Sequence, residues 1–163
     1  MKKVLVVMGS DSDLKVMEKC VDRLKSFDIP TEVRISSAHR TPAVAEQLAK
    51  NAAAEGFGVI IAAAGKAAHL GGVLAAYTTL PVIGVPMATS VMGGMDSLLS
   101  IVQMPKGIPV ATVAIDGADN AAILAAQMIA LSDDALAQKL AQFKADMAAE
   151  VTAKDEKVRA QFA

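Results

Sequence analysis

The sequence predicts a three-layer α/β fold: a five-stranded parallel sheet with helices on both faces. Three observations predict it. Five short apolar runs alternate with segments of helical periodicity, as strands joined by right-handed crossovers do. Most of these runs are continuously apolar, the pattern of strands buried on both faces. The chain is also 53% hydrophobic but only 3% aromatic, so aliphatic side chains must build its core. At 163 residues, one domain over residues 1–163 is the simplest organisation, able to bury about 70% of its unfolded surface.

Val4–Met8 is the first strand, and Gly9-Ser10-Asp11-Ser12-Asp13 ends it. A helix follows, with Leu14, Met17, Val21 and Leu24 spaced by three and four. Ser10 or Ser12 suits its N-cap, and Ser10 with Asp13 resembles a capping box. The same loop faces free N–H groups and a positive dipole end, so an anion or a ribose also suits it. Cys20 lies within this helix and reads as a small buried hydrophobe; as the lone cysteine it excludes an intrachain disulfide.

Pro30 opens the next segment, where Val33-Arg34-Ile35 is a strand with a polar face. The stretch Ser36-Ser37-Ala38-His39-Arg40-Thr41-Pro42 then leads into a helix over about residues 42–55, ending at Gly56. Thr41 reads as the N-cap and Pro42 as the first helical residue. Capping does not account for His39 and Arg40. An imidazole moves protons near neutral pH, and a guanidinium grips phosphate or carboxylate.

Val59–Ala64 is the third strand. The loop Gly65-Lys66-Ala67-Ala68-His69-Leu70-Gly71-Gly72 is small enough for a ligand to approach backbone, and it holds the second of the two histidines. His69 is expected to be pinned by backbone and to shape the pocket. A short helix over about 73–77 and a strand over 81–86 follow, then a small-residue stretch at 88–94 suited to a mobile loop. A helix is expected over 95–103 with Asp96 near its positive end. A turn at 105–107, a fifth strand over 110–115 and an Ala-rich helix over 120–131 complete a core of residues 1–131. Residues 132–163 form a polar helical extension striped by Leu136, Leu140, Phe143, Met147 and Val151. Such a stripe needs cover, and a neighbouring subunit is expected to bury part of it.

Several function classes are excluded. A net charge of −1 and few aromatics leave neither a basic footprint nor stacking platforms for nucleic acid. No apolar run approaches the roughly 18 residues of a membrane span, and the first is too short for a signal peptide, so a cytoplasmic protein without membrane partners is expected.

In a parallel sheet, ligands bind beyond the carboxyl ends of strands, where strand order reverses. The loops after strands one, two and three hold Ser10, Ser12 and Asp13, then Ser37, His39 and Arg40, then Gly65, Lys66 and His69. Both histidines therefore lie at one end, while the opposite loops look like ordinary turns. The single glycine in residues 9–13 fits neither a dinucleotide fingerprint nor a Walker loop. No aromatic awaits a flavin, Ala63-Ala64-Gly65 lacks the aspartate of a phospho-acceptor, and two histidines without clustered glutamates do not suggest a metal. A small phosphorylated, hydroxyl-bearing substrate remains. Serines and Arg40 suit its phosphate, Asp13 its hydroxyls, and His39 is the proton carrier.

Met8-Gly9-Ser10-Asp11-Ser12-Asp13, Ser37-Ala38-His39-Arg40-Thr41-Pro42, Ala64-Gly65-Lys66-Ala67-Ala68-His69-Leu70 and Asp96-Ser97-Leu98-Leu99-Ser100-Ile101-Val102-Gln103-Met104-Pro105 together resemble the 5-(carboxyamino)imidazole ribonucleotide mutases of purine biosynthesis. The resemblance spans nearly the whole chain, in order. It implies a flavodoxin-like fold and a homo-octamer with active sites between subunits. It also implies a reaction without metal or organic cofactor, moving a carboxylate from the exocyclic nitrogen of a phosphoribosyl-imidazole to ring carbon four. Ser10, Asp13 and Arg40 match the family's nucleotide-binding positions, and His39 its general acid/base. Ser12, Ser37, Gly65, Lys66, His69 and Leu70 fall in the matching pocket loops. Two residues depart from the pattern: Lys66 stands where glycine is common, and Gly71 where proline is. Ala67-Ala68-His69-Leu70 favours the mutases over their relatives that carboxylate aminoimidazole ribonucleotide directly. A non-catalytic nucleotide-binding assembly module is the alternative outside the enzymes.

Overall fold

The computed structural model describes residues 1–163. Strands β1 (Lys3–Met8), β2 (Thr31–Ile35), β3 (Phe57–Ala64), β4 (Val82–Pro86) and β5 (Ala111–Thr112) form one parallel sheet in the order β2-β1-β3-β4-β5. This is the flavodoxin-like order. From β1 the chain steps outward to β2, then returns past β1 to β3, so the order reverses between β1 and β3. The crevice opens at their carboxyl ends.

Helices α1 (Leu14–Ser26) and α5 (Ala118–Ala130) cover one face, while α2 (Pro42–Ala52), α3 (Leu70–Tyr77) and α4 (Met95–Val102) cover the other. The two-residue period of a strand sorts the core. Val4, Val6 and Met8 of β1 point toward Met17, Cys20 and Leu24 and the alanines of α5. Leu5 and Val7 point toward Ala45, Ala49, Leu70 and Leu74. Small residues let helices lie close to the sheet. A Cβ on Gly84 of β4 would stand 2.3 Å from Ile101 Cγ2, so α4 can rest directly over that strand. Cys20 is fully buried, and desolvation pushes its thiol up to about 12, which leaves it a packing residue.

Several boundaries differ from expectation. α2 ends at Ala52, three residues early, and the chain turns through Gly56 at φ +89°. α3 begins at Leu70, three residues earlier than expected, although Gly71 and Gly72, poor helix formers, occupy its first turn; packing outweighs propensity there. β5 pairs only at Ala111–Thr112; beyond it Val113 N–H donates to Gly84 O and Asp116 N–H to Pro86 O, holding the edge without a regular ladder. β2 is also an edge, which explains its exposed Val33 and Ile35. Thr41 occupies the N-cap position of α2 but makes no cap hydrogen bond. Its hydroxyl turns back instead, accepting from Ser37 N–H at 2.9 Å and sharing a bond with Ser36 Oγ at 3.2 Å. Pro42 does stand at the start of the helix.

Helix α6 (Asp134–Gln161) begins on its own subunit. Leu136 is fully buried, and Leu140 and Phe143 pack on the same core. Phe143 meets Phe27 edge-on at 5.5 Å and lies beneath the Arg23 guanidinium. Lys139 pairs with Asp28 at 2.6 Å. Farther along, Met147 and Val151 are 42% and 65% exposed. No helix is long and apolar enough to cross a membrane.

Candidate active site

The carboxyl ends of β1, β2, β3 and β4 surround a cleft of about 590 Å³. Ser10, Ser12, Asp13, Ser37, His39, Arg40, Gly65, Lys66, His69 and Leu70 all line it. Each reaches it for a local reason. After β1, Ser10 Oγ accepts from Ser12 N–H at 3.3 Å and caps a 3-10 turn at Asp11–Asp13, not α1 itself. That turn carries Asp13 into the cleft wall, where Ser12 Oγ donates to its carboxylate at 3.3 Å. Burial raises the Asp13 pKa above its ordinary 3.8, helped by the charges of Asp116 and Asp11 and opposed by the Ser12 hydroxyl and the Ser10 backbone.

After β2, the loop closed by Thr41 presents Ser37, His39 and Arg40. Ser37 Oγ accepts from the Arg40 backbone N–H at 3.2 Å and from Nε at 3.4 Å, while Nη2 donates to Gly9 O at 3.3 Å. The guanidinium is thereby fixed across the first and second loops.

His39 Nε2 and His69 Nδ1 share a hydrogen bond of 2.7 Å, their rings edge-to-face with centroids 4.8 Å apart. His69 is therefore held by the other imidazole rather than by backbone as expected. One ring nitrogen donates and the other accepts, so the tautomer of each histidine depends on its neighbour.

After β3, Lys66 adopts φ +58°, a left-handed conformation that strains a side-chain-bearing residue by about 1–2 kcal/mol. Glycine would sit there without strain. The conformation is held by fully buried Ser97 of α4, whose Oγ accepts from Lys66 N–H at 2.9 Å and donates to Met87 O at 2.8 Å. Ser100 Oγ donates to Lys66 O at 3.4 Å. Gly71, the other departure, stands in the first turn of α3, and a Cβ there would make ordinary contacts with Val110 and Ala62.

The fourth wall, Met87-Ala88-Thr89-Ser90, lies outside the three loops expected to carry the site. Thr89 Oγ1 donates to Asp96 at 2.8 Å, and Asp116 accepts from Ala88 N–H at 2.9 Å, so this loop is anchored at both sides. The available signals were the two hydroxyls of Thr89 and Ser90 in a small-residue stretch and the two serines, Ser97 and Ser100, of the Asp96–Pro105 motif on an apolar helix. No three His, Cys, Asp or Glu side chains converge in a way that could hold a metal ion.

A parallel α/β sheet with serine, arginine and imidazole groups gathered in a cleft at its switch point has the layout of the small-ligand sites of open α/β proteins. Residues 3–150 match the family described as AIR carboxylase. The N5-carboxyaminoimidazole ribonucleotide mutase of Methanocaldococcus jannaschii is 52% identical over 159 residues, covering 98% of this chain and 99% of that protein. The chloroplastic phosphoribosylaminoimidazole carboxylase of Vigna aconitifolia is 51% identical over 140 residues, 86% of this chain but 25% of the longer plant protein. Among solved structures, the crystal structure of Treponema denticola PurE has a TM-score of 0.87 at 30% identity, covering 94% of this chain and 96% of its own. The chain belongs to the AIR carboxylase family.

Proposed function

We propose that this chain is an N5-carboxyaminoimidazole ribonucleotide mutase acting in purine biosynthesis in the cytoplasm. The observation that carries the reading is the placement of His39 on one cleft with Arg40, Ser10 and Asp13, in a chain matched along 98% of its length by a mutase. Arg40 and the serines take the phosphate, and Asp13 takes ribose hydroxyls.

Protonated His39 gives its proton to the exocyclic nitrogen as the N–C bond breaks, and the bonding pair stays on nitrogen. Carbon dioxide leaves as a neutral molecule and is retained beside the ring. Ring carbon four then attacks it, forming the new C–C bond. His39, now neutral, removes the hydrogen from that carbon and restores aromaticity. The imidazolium is regenerated, so no proton is gained or lost overall. An imidazole can both give and take a proton, which suits transfer in both directions. Holding the gas against the ring is a contribution of positioning rather than covalent catalysis. The bond to His69 supports this role by orienting the His39 ring.

The assembled form is proposed to be a homo-octamer with sites between subunits. Exposed apolar Val91, Met92, Met95, Leu99 and Val102 near the cleft loops support a further subunit covering that side.

The test is incubation with the carboxyamino nucleotide, without ATP or metal, following the ring-carboxylated product. Wild-type protein is expected to convert it, and His39→Asn to keep its circular dichroism while losing about 10²–10⁴ in kcat. Faster turnover of aminoimidazole ribonucleotide with bicarbonate would instead assign a direct carboxylase.

A further inference from the structure

We infer that Lys66 binds the migrating carboxylate and governs how often released carbon dioxide is recaptured; the inference rests on the mutase reading above. Lys66 lines the cleft and is exposed, yet it takes part in none of the five ion pairs of the chain, and no side chain or backbone oxygen accepts from its ammonium. Its backbone is held at φ +58° by Ser97 on one side and Ser100 on the other. A strained residue whose conformation is fixed by its surroundings, with a free charge at a cleft, points to use of that charge.

The other cleft cation differs. Arg40 is tied to Gly9 O and Ser37 at the β1–β2 side. β1 lies between β2 and β3, so strands β2 and β3, from which the two cation-bearing loops leave, run about 10 Å apart. The proposed substrate also carries two separated anions, a phosphate and a carboxylate. With Ser10, Ser12 and Arg40 on the phosphate, Lys66 is left at the β3 side beside Ala67 and His69. A compact ammonium on a flexible stem can follow a carboxylate as it moves between neighbouring atoms, which a fixed guanidinium fork would do poorly.

The charge acts on each half of the reaction with opposite sign. Loss of carbon dioxide turns an anion into a neutral molecule, so a nearby cation opposes it. Attack by ring carbon four regenerates the anion, so the same cation favours recapture over escape. No proton passes through Lys66; that traffic stays with His39.

The experiment compares wild-type protein with Lys66→Met, Lys66→Gly and Lys66→Arg. Calorimetry measures binding of the ring-carboxylated nucleotide and of aminoimidazole ribonucleotide, which lacks the carboxylate. Lys66→Met and Lys66→Gly are expected to weaken the carboxylated nucleotide about tenfold and the other less than about twofold, with Lys66→Arg recovering most of the loss. In turnover, KM for the carboxyamino nucleotide rises while kcat for its consumption rises too, and incorporation of labelled bicarbonate into product increases several-fold. Equal weakening of both nucleotides would show a merely structural role and overturn the inference, as would no weakening of either. Wild-type protein that binds both nucleotides but converts neither overturns the mutase reading instead, while the binding ratio still decides the role of Lys66.

Discussion

Asp13 carries a carboxylate into a wall where only 9% of the residue is exposed, and burial is the largest cause of its raised pKa. A folded pKa above the unfolded one means the native state holds the proton more tightly. Its contribution to stability is then fully present below about pH 3.8 and is lost as pH rises through the folded value. Above the folded value, burial of the carboxylate therefore opposes folding, a cost that a ligand-binding cleft tolerates. Asp13→Asn is expected to raise Tm at pH 7, with the gain vanishing as pH falls below the unfolded value. The same variant is expected to raise KM for the nucleotide by about tenfold through loss of a charged acceptor. Melting curves across pH, set beside steady-state kinetics, check both halves.

The helix α4 works as a clasp between two site loops. It lies on β4 because Gly84 leaves room for Ile101, and from that seat Ser97 reaches both Lys66 N–H and Met87 O. Removing the hydroxyl leaves the buried Met87 O and the part-buried Lys66 N–H without this partner. Ser97→Ala is expected to destabilise the fold by about 2–3 kcal/mol in urea titration and to raise KM, since both loops lose their tie. The same element accounts for a wall of the cleft that loop reading alone omitted. Thr89 is held by Asp96 in its first turn, and Ser100 steadies Lys66 one turn on.

At the scale of the molecule, α6 divides into an anchored and a free portion. Leu136, Leu140 and Phe143 complete the core under α1 and α5, whereas Met147 and Val151 stay exposed within the subunit. Truncation after Leu131 removes fully buried Leu136, worth about 1.5–3 kcal/mol, and partly buried Leu140 and Phe143, and is expected to lower Tm sharply or unfold the chain. Truncation after Lys144 keeps those contacts, so folding by circular dichroism is expected to persist. Sedimentation is then expected to show a species smaller than the assembly that the full chain forms under the same conditions. An unaltered assembly would remove the free portion of α6 from the proposed interface.

The sequence by itself determined the alternation of strands and helices, the buried faces of β1 and β3, and three of the four loops around the cleft. These signals are local: apolar runs, a period near four on helices, and polar residues gathered where strands end. Boundaries slipped where tertiary contacts overrode propensity, as at Gly71 and Gly72 in α3 and at the short β5. Only the tertiary structure decided that His39 bonds to His69 across 30 positions and that Ser97 clasps Lys66 across 31. Such pairings depend on where crossovers and helix packing set the loops relative to one another. Residues so far apart in the chain carry no periodic trace of meeting, because the sheet between them brings them together.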